Sequence, residues 1–107
     1  MRKDFESAQK MIRKYGPARA ELIQQRISEF IAAEVLQDLV NLPGPKFHQH
    51  VRKKGQARAI FSVNLDQPYR LLFRAAADPE PQLPSGGADL TQITAIEIIE
   101  IVDPHGN

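Results

Sequence analysis

The chain contains no cysteine. Disulfides, thiol nucleophiles and cysteine-ligated zinc or iron–sulfur centres are therefore excluded. No apolar run approaches the ~18 residues of a membrane span, and the polar start lacks the apolar stretch of a secretory signal. A cytoplasmic protein is expected. There is no phosphate-binding glycine loop, no nucleophile elbow and no helix-turn-helix signature. Histidine is sparse, at His48, His50 and His105 alone, and no lysine or arginine follows Arg74. At 107 residues the chain can bury one core but not two, so a single domain is expected.

Charge is distributed unevenly. From Lys46 to Arg74 seven basic residues (Lys46, Arg52, Lys53, Lys54, Arg58, Arg70 and Arg74) face one acid, Asp66, for a net +6. From Pro79 to Asn107 five acids and no base give −5. A basic segment of this kind can track a phosphate backbone even though the whole chain carries only +1. The plainer reading is a solvated loop at Arg52-Lys53-Lys54 with ordinary surface arginines.

Periodicity divides the chain into a helical half and a strand half. Phe5, Ala8, Met11, Ile12 and Tyr15 recur at steps of three and four, and Gly16-Pro17 interrupts them. Ala20, Ile23, Ile27, Phe30 and Ile31 form a second apolar stripe, with Arg26 among the polar residues off it. Helix continues or restarts through Val35, Leu36, Leu39 and Val40 and stops at Asn41-Leu-Pro-Gly44-Pro45. Further on, Ala59, Phe61, Val63 and Leu65 alternate with Ile60, Ser62 and Asn64. After the turn signal Asp66-Gln-Pro68, Tyr69, Leu71 and Phe73 alternate with Arg70, Leu72 and Arg74. The two runs predict an antiparallel hairpin with Arg70 and Arg74 on one face. Ile93 to Val102, apolar on both sides, predicts a strand in the sheet interior. Residues 75–91, rich in proline, glycine and aspartate, predict a long flexible loop. The expected fold is α+β, one domain over 1–107: two N-terminal helices (5–40) packed on a small antiparallel sheet (57–103).

Candidate chemistry centres on the histidines. Two imidazoles flanking a phosphodiester can divide the proton transfers of RNA cleavage, one taking the 2′-hydroxyl proton, the other protonating the departing 5′-oxygen. An arginine on a rigid strand, such as Arg70, can offset charge on the pentacoordinate phosphate. The last strand delivers Asp103 and His105 to its tip. Against this, three histidines are ordinary usage for such a chain. His48-x-His50 has the spacing of half a metal site, with Asp103 and His105 available to complete it, but its flanks Phe47 and Gln49 form no metal signature and the region reads as a loop. No metal and no cofactor is expected.

The segments Asn41-Leu-Pro-Gly-Pro-Lys-Phe-His48, Phe61-Ser-Val-Asn-Leu65, Pro68-Tyr-Arg-Leu-Leu-Phe73 and Ile93-Thr-Ala-Ile96 through Ile101-Val-Asp103 with His105 occur in one collinear order. Together with Arg13-Lys-Tyr-Gly-Pro17 through Leu39, they resemble the HigB-type killer toxins of the RelE/ParE toxin–antitoxin superfamily. The resemblance covers nearly the whole chain. It implies a metal-independent endoribonuclease that cuts mRNA on the translating ribosome and is neutralised by a cognate helix-turn-helix antitoxin. It implies catalytic roles for His48, Arg70, Asp103 and His105, and RNA contacts from Lys53, Lys54, Arg58 and Arg74. A homodimer or a hetero-oligomer with the antitoxin is compatible with it. Three departures stand out. The family's terminal Asp-Tyr-His is Asp103-Pro104-His105 here, which raises the alternative of a degenerate site that acts by binding. The basic turn after His48 is longer than the family's. The chain also enters helix directly, so either an N-terminal strand is lacking or the native start lies upstream of Met1.

Overall fold

The computed structural model describes residues 5–103. Its architecture is α+β: helices first, then a four-stranded antiparallel sheet. Helix α1 spans Phe5–Ala32 with a break inside it. Gly16 takes φ 80° and ψ 172°, a backbone suited to glycine, and Pro17 opens the second segment. The short helix α2 spans Gln37–Val40. The expectation about an N-terminal strand concerns residues before Phe5, which lie outside the described ones.

The apolar stripe of α1 differs from the expected one in two places. Ala20, Ile23 and Phe30 are buried, but Ile31 is 55% exposed. Arg26, expected on the polar face, is only 5% exposed. It stands three residues after Ile23 and four before Phe30, squarely on the inward stripe. What permits its burial is a full set of acceptors. Its Nε donates to the Asn64 carbonyl (2.5 Å), Nη1 to both Glu29 carboxylate oxygens (2.8 and 3.1 Å), and Nη2 to the Gly44 carbonyl (3.3 Å).

Strands β1 (His48–Gln49), β2 (Phe61–Asn64), β3 (Arg70–Ala75) and β4 (Ile96–Val102) lie in the order β1-β2-β3-β4. The β2–β3 hairpin falls where alternation placed it. At the turn, Asp66 accepts from Arg19 of α1 at 2.9 and 3.0 Å, and the Arg19 guanidinium lies 3.8 Å from the Tyr69 ring centre. Two expectations are overturned. The His48–His50 region, expected as loop, forms the edge strand β1 and continues through a His50 N–H bond to the Ile60 carbonyl. Strand β4, expected in the sheet interior, is the opposite edge.

The reason lies in the β3–β4 register. Arg74 pairs with Glu97 and Phe73 with Ile98, but Leu72 pairs with Glu100, so Ile99 is an extra residue in β4. Glu97 and Glu100 are three apart, and strict alternation would aim one of them into the core. The bulge changes the phase and sets both on the outer face. A strand apolar in composition thus becomes a strand with one apolar side.

The inner face of the sheet carries Phe61, Val63, Leu71, Phe73, Ala75, Ile96 and Ile98, all buried. They pack with Ile23, Phe30, Ala33, Leu36 and Leu39 from the helical half. Phe73 is the hub: its ring centre lies 5.1 Å from Phe30, 5.7 Å from Phe61 and 6.3 Å from Phe47. The outer face carries His48, Ser62, Arg70, Leu72, Arg74, Glu97, Glu100 and Val102.

Residues 75–91, expected as a flexible loop, carry specific contacts. Gln82 bridges to Ala88, and the Asp89 N–H donates to the Pro81 carbonyl at 2.9 Å. Glu80 is buried, accepting from the Ala59 N–H (2.7 Å) and from Arg52 (2.6 Å). Among the described residues no helix is long and apolar enough to cross a membrane.

Removing Arg26 leaves the Asn64 and Gly44 carbonyls and the Glu29 carboxylate without their donor. Arg26→Ala is therefore expected to destabilise the fold by about 3 kcal/mol, read as a lower urea midpoint. An unchanged midpoint would show that the buried guanidinium is dispensable.

Candidate functional site

The outer face of the sheet gathers one polar cluster at its β1–β2–β3 side. Its centre is Ser62, fully buried although its side chain points away from the core. Arg70 and His50 cover it. The Arg70 Nε–H donates to Ser62 Oγ at 2.8 Å, and Arg70 Nη2 donates to the Lys46 carbonyl at 2.7 Å and the Ser62 carbonyl at 3.3 Å. His50 Nε2 lies 2.8 Å from the same Oγ. Since the guanidinium must donate, Oγ accepts from Arg70, and the direction of its second bond, to Nε2, follows the tautomer of His50.

Local sequence explains why these groups meet. Period two along β2 and β3 sets Ser62 and Arg70 on the outer face, diagonal to each other through the Ser62–Leu72 and Asn64–Arg70 pairs. His48 pairs directly with Ser62 across β1–β2. Before it, Lys46 adopts φ 47°, the left-handed region that costs most residues strain. That turn lets the Lys46 carbonyl face Arg70 and sends Phe47 inward, where it stacks on Phe61 at 5.5 Å. The rings of His48 and His50 meet edge to face, 4.7 Å between centres. Lys46, Phe47, His48, His50 and Arg70 line an open cavity of about 350 Å³.

The electrostatics follow from this geometry. Burial, with the nearby His48 and Arg70 charges, holds the His50 imidazole below histidine's ordinary value. Burial also lowers Arg70, which stays charged at neutral pH nonetheless. His48 is exposed. An arginine, a half-buried imidazole and an exposed imidazole on one cavity suit an anion that carries transferable protons nearby.

The predicted site residues fare differently. His48 and Arg70 come together as expected. Asp103 is half-buried directly after Val102, the cross-strand partner of Arg70, so the tip of β4 lies beside the Arg70 end of β3. His105 lies outside the described residues. Of the predicted RNA contacts, Lys53 and Lys54 are exposed on the β1–β2 connection and make no ion pair among the described residues. Arg58 donates to the Ala75 carbonyl at 3.2 Å. Arg74 pairs with Glu97 on β4 through Nε at 2.8 Å. Arg52 is held by Glu80. The acidic C-terminal segment thus neutralises part of the basic block. No group of three metal-ligating side chains occurs among the described residues.

Three members of the cluster were not among the predicted catalytic residues: Lys46, His50 and Ser62. His50 drew notice only as half of a metal pair. Ser62 carried a readable signal, since an outward serine diagonal to an arginine on a hairpin is placed to meet it. Compared with known proteins, the chain matches no family model, no curated protein and no solved structure.

In the native fold His50 takes up its proton at a lower pH than in the unfolded chain. The unfolded state therefore binds more protons below ~6.5, and stability rises with pH there. His50's contribution is present above ~6.5 and lost as pH falls through its native value. An NMR titration is expected to give His50 a midpoint below ~6.5, and Arg70→Gln to move it upward. A midpoint at or above the free value would remove the burial of His50 from the description.

Proposed function

We propose that this chain is a metal-independent endoribonuclease acting on mRNA at the ribosome. In this reading it is the toxin half of a type II toxin–antitoxin pair of the HigB-like RelE/ParE kind. Its partners are a helix-turn-helix antitoxin and ribosome-bound mRNA, and its compartment is the cytoplasm. The observation that carries the reading is the Ser62-centred cluster: Arg70 anchored by the Ser62 hydroxyl and the Lys46 carbonyl, with two imidazoles on the same cavity.

The chemistry assigned to these groups balances without a cofactor. A base removes the ribose 2′-hydroxyl proton, the 2′-oxygen bonds to phosphorus, and the bond from phosphorus to the 5′-oxygen breaks. An acid then protonates that 5′-oxygen. His48 and His105 are the two proton carriers in this reading. Arg70 is fixed before substrate arrives, so it stabilises the extra phosphoryl charge without reorganising. His50, tied to Ser62 through Nε2, keeps Nδ1 for a polar contact with the substrate. Asp103 orients His105 or the ribose, and Lys53 and Lys54 hold neighbouring phosphates.

A second reading has one observation in its favour. Arg70 already donates to three protein acceptors, as a structural arginine would. Together with Pro104 in the place of the family tyrosine, this describes a toxin that binds without cutting.

Induced expression, reading growth and mRNA 5′ ends together, separates the two. Cleavage is expected to fall about 10²-fold or more for Arg70→Ala and for His48→Ala, with the fold retained by circular dichroism. Growth arrest that persists in a His48→Ala, His105→Ala double variant would sink the nuclease reading. New or increased cleavage in Pro104→Tyr would favour the binding form as the natural state.

A further inference from the structure

A second cavity, of about 360 Å³, adjoins the first, and His50 lines both. Its floor is Ile60, Leu72 and Val102, and its rim carries Val51, Lys53 and Gln56. The floor residues come from three different strands or strand ends. Ile60 lies two residues before Ser62, the partner of Leu72, and Val102 lies two residues after Glu100, the other partner of Leu72. They therefore run as a diagonal across the outer face. Each is only half-buried. Around them that face is polar, with Ser62, Arg70, Arg74, Glu97 and Glu100.

We infer that this slot is the subsite for the nucleobase next to the scissile phosphate, an assignment that rests on the ribonuclease reading above. A base has a flat apolar face and polar edges. An aliphatic floor with a polar rim suits the first and leaves the second accessible. The volume lies within the ~300–1,000 Å³ of small-ligand sites, too confined for an extended protein segment to fill as its main contact. The rim is held in place. Gln56 donates to the Arg58 carbonyl at 2.8 Å and accepts from the Lys53 N–H at 3.4 Å. The charged residues that line the two cavities, Lys46, Lys53 and Arg70, are all basic, which favours an anionic polymer over an apolar peptide. Because His50 is the shared wall, a phosphate at Arg70 places its own nucleoside at the slot. Leu72, at the centre of the diagonal, is a specificity-determining residue in this arrangement.

The test uses the full chain, nitrogen-labelled throughout and also labelled at its methyl groups, titrated in parallel with inorganic phosphate and with adenosine 5′-monophosphate. Phosphate is expected to shift the His48, His50 and Arg70 signals alone. The nucleotide is expected to shift these and also the Ile60, Leu72 and Val102 methyls, leaving Val63 and Ile96 on the inner face unmoved. Leu72→Ala should weaken the nucleotide roughly fivefold or more while leaving phosphate affinity within twofold. If the nucleotide moves the histidines and Arg70 but no floor methyl, the base subsite is overturned and the phosphate site stands. Should neither titrant move His48, His50 or Arg70, the nuclease reading falls and the subsite with it. The wild-type methyl shifts decide the matter even if Leu72→Ala does not fold.

Discussion

The buried guanidinium of Arg26 is the constraint on which the site depends. A charge taken out of water costs several kcal/mol unless its donors are met, and here acceptors come from three directions. One is the end of β2 at Asn64, one the Gly44 turn, one the same helix at Glu29. Meeting them fixes where the 41–45 turn sits relative to the sheet, and the Asn64 N–H bond to the Pro45 carbonyl (2.6 Å) closes the same junction. Only then does Lys46 emerge with its carbonyl toward Arg70 and its successor Phe47 in the aromatic core. The cavity is thus set by a helix residue that does not line it.

Ser62 plays the corresponding part within the cluster. A single hydroxyl meets both the Arg70 Nε–H and His50 Nε2, so it ties the position of one to that of the other. Around this node the protein has thinned its own positive charge. Arg52, Arg74 and Arg19 are engaged by Glu80, Glu97 and Asp66, respectively. Of the basic block, Lys46, Lys53, Lys54, Arg58 and Arg70 remain without an ion pair among the described residues. Three of those five line the two adjoining cavities. The local field is therefore narrower than the linear count of basic residues implies.

Much of this was legible in the sequence, and the failures have physical causes. Alternation located β2 and β3, the Gly16-Pro17 break and the Pro-Gly stop ended the helices, and Arg70 fell on the outer face as period two requires. Arg26 was misread because hydropathy assigns every arginine to solvent, while its acceptors lie 18 and 38 residues away in the chain. The His48–Gln49 strand escaped because two residues carry no period, and its pairing is decided by the Gly44–Pro45 junction. His50 and Ser62 were separated by twelve residues and joined only by the β1–β2 register. Arg58 and Arg74 looked like available cations because their partners, a carbonyl and a cross-strand glutamate, are tertiary facts.

The extra residue in β4 bears on how this chain tolerates change. Side chains along a strand are addressed by parity, and the bulge absorbs Ile99 so that it does not count. Glu97, Ile98, Glu100, Ile101 and Val102 therefore keep strict alternation around it. Deleting Ile99 would leave each of these on its present face and opposite its present partner. Straightening the bulge with Ile99 kept in the ladder would instead turn Glu100 inward, Ile101 outward, and Val102 away from its place opposite Arg70. Losing the residue and losing the bulge are thus opposite events: the first preserves every address beyond it, the second reverses them.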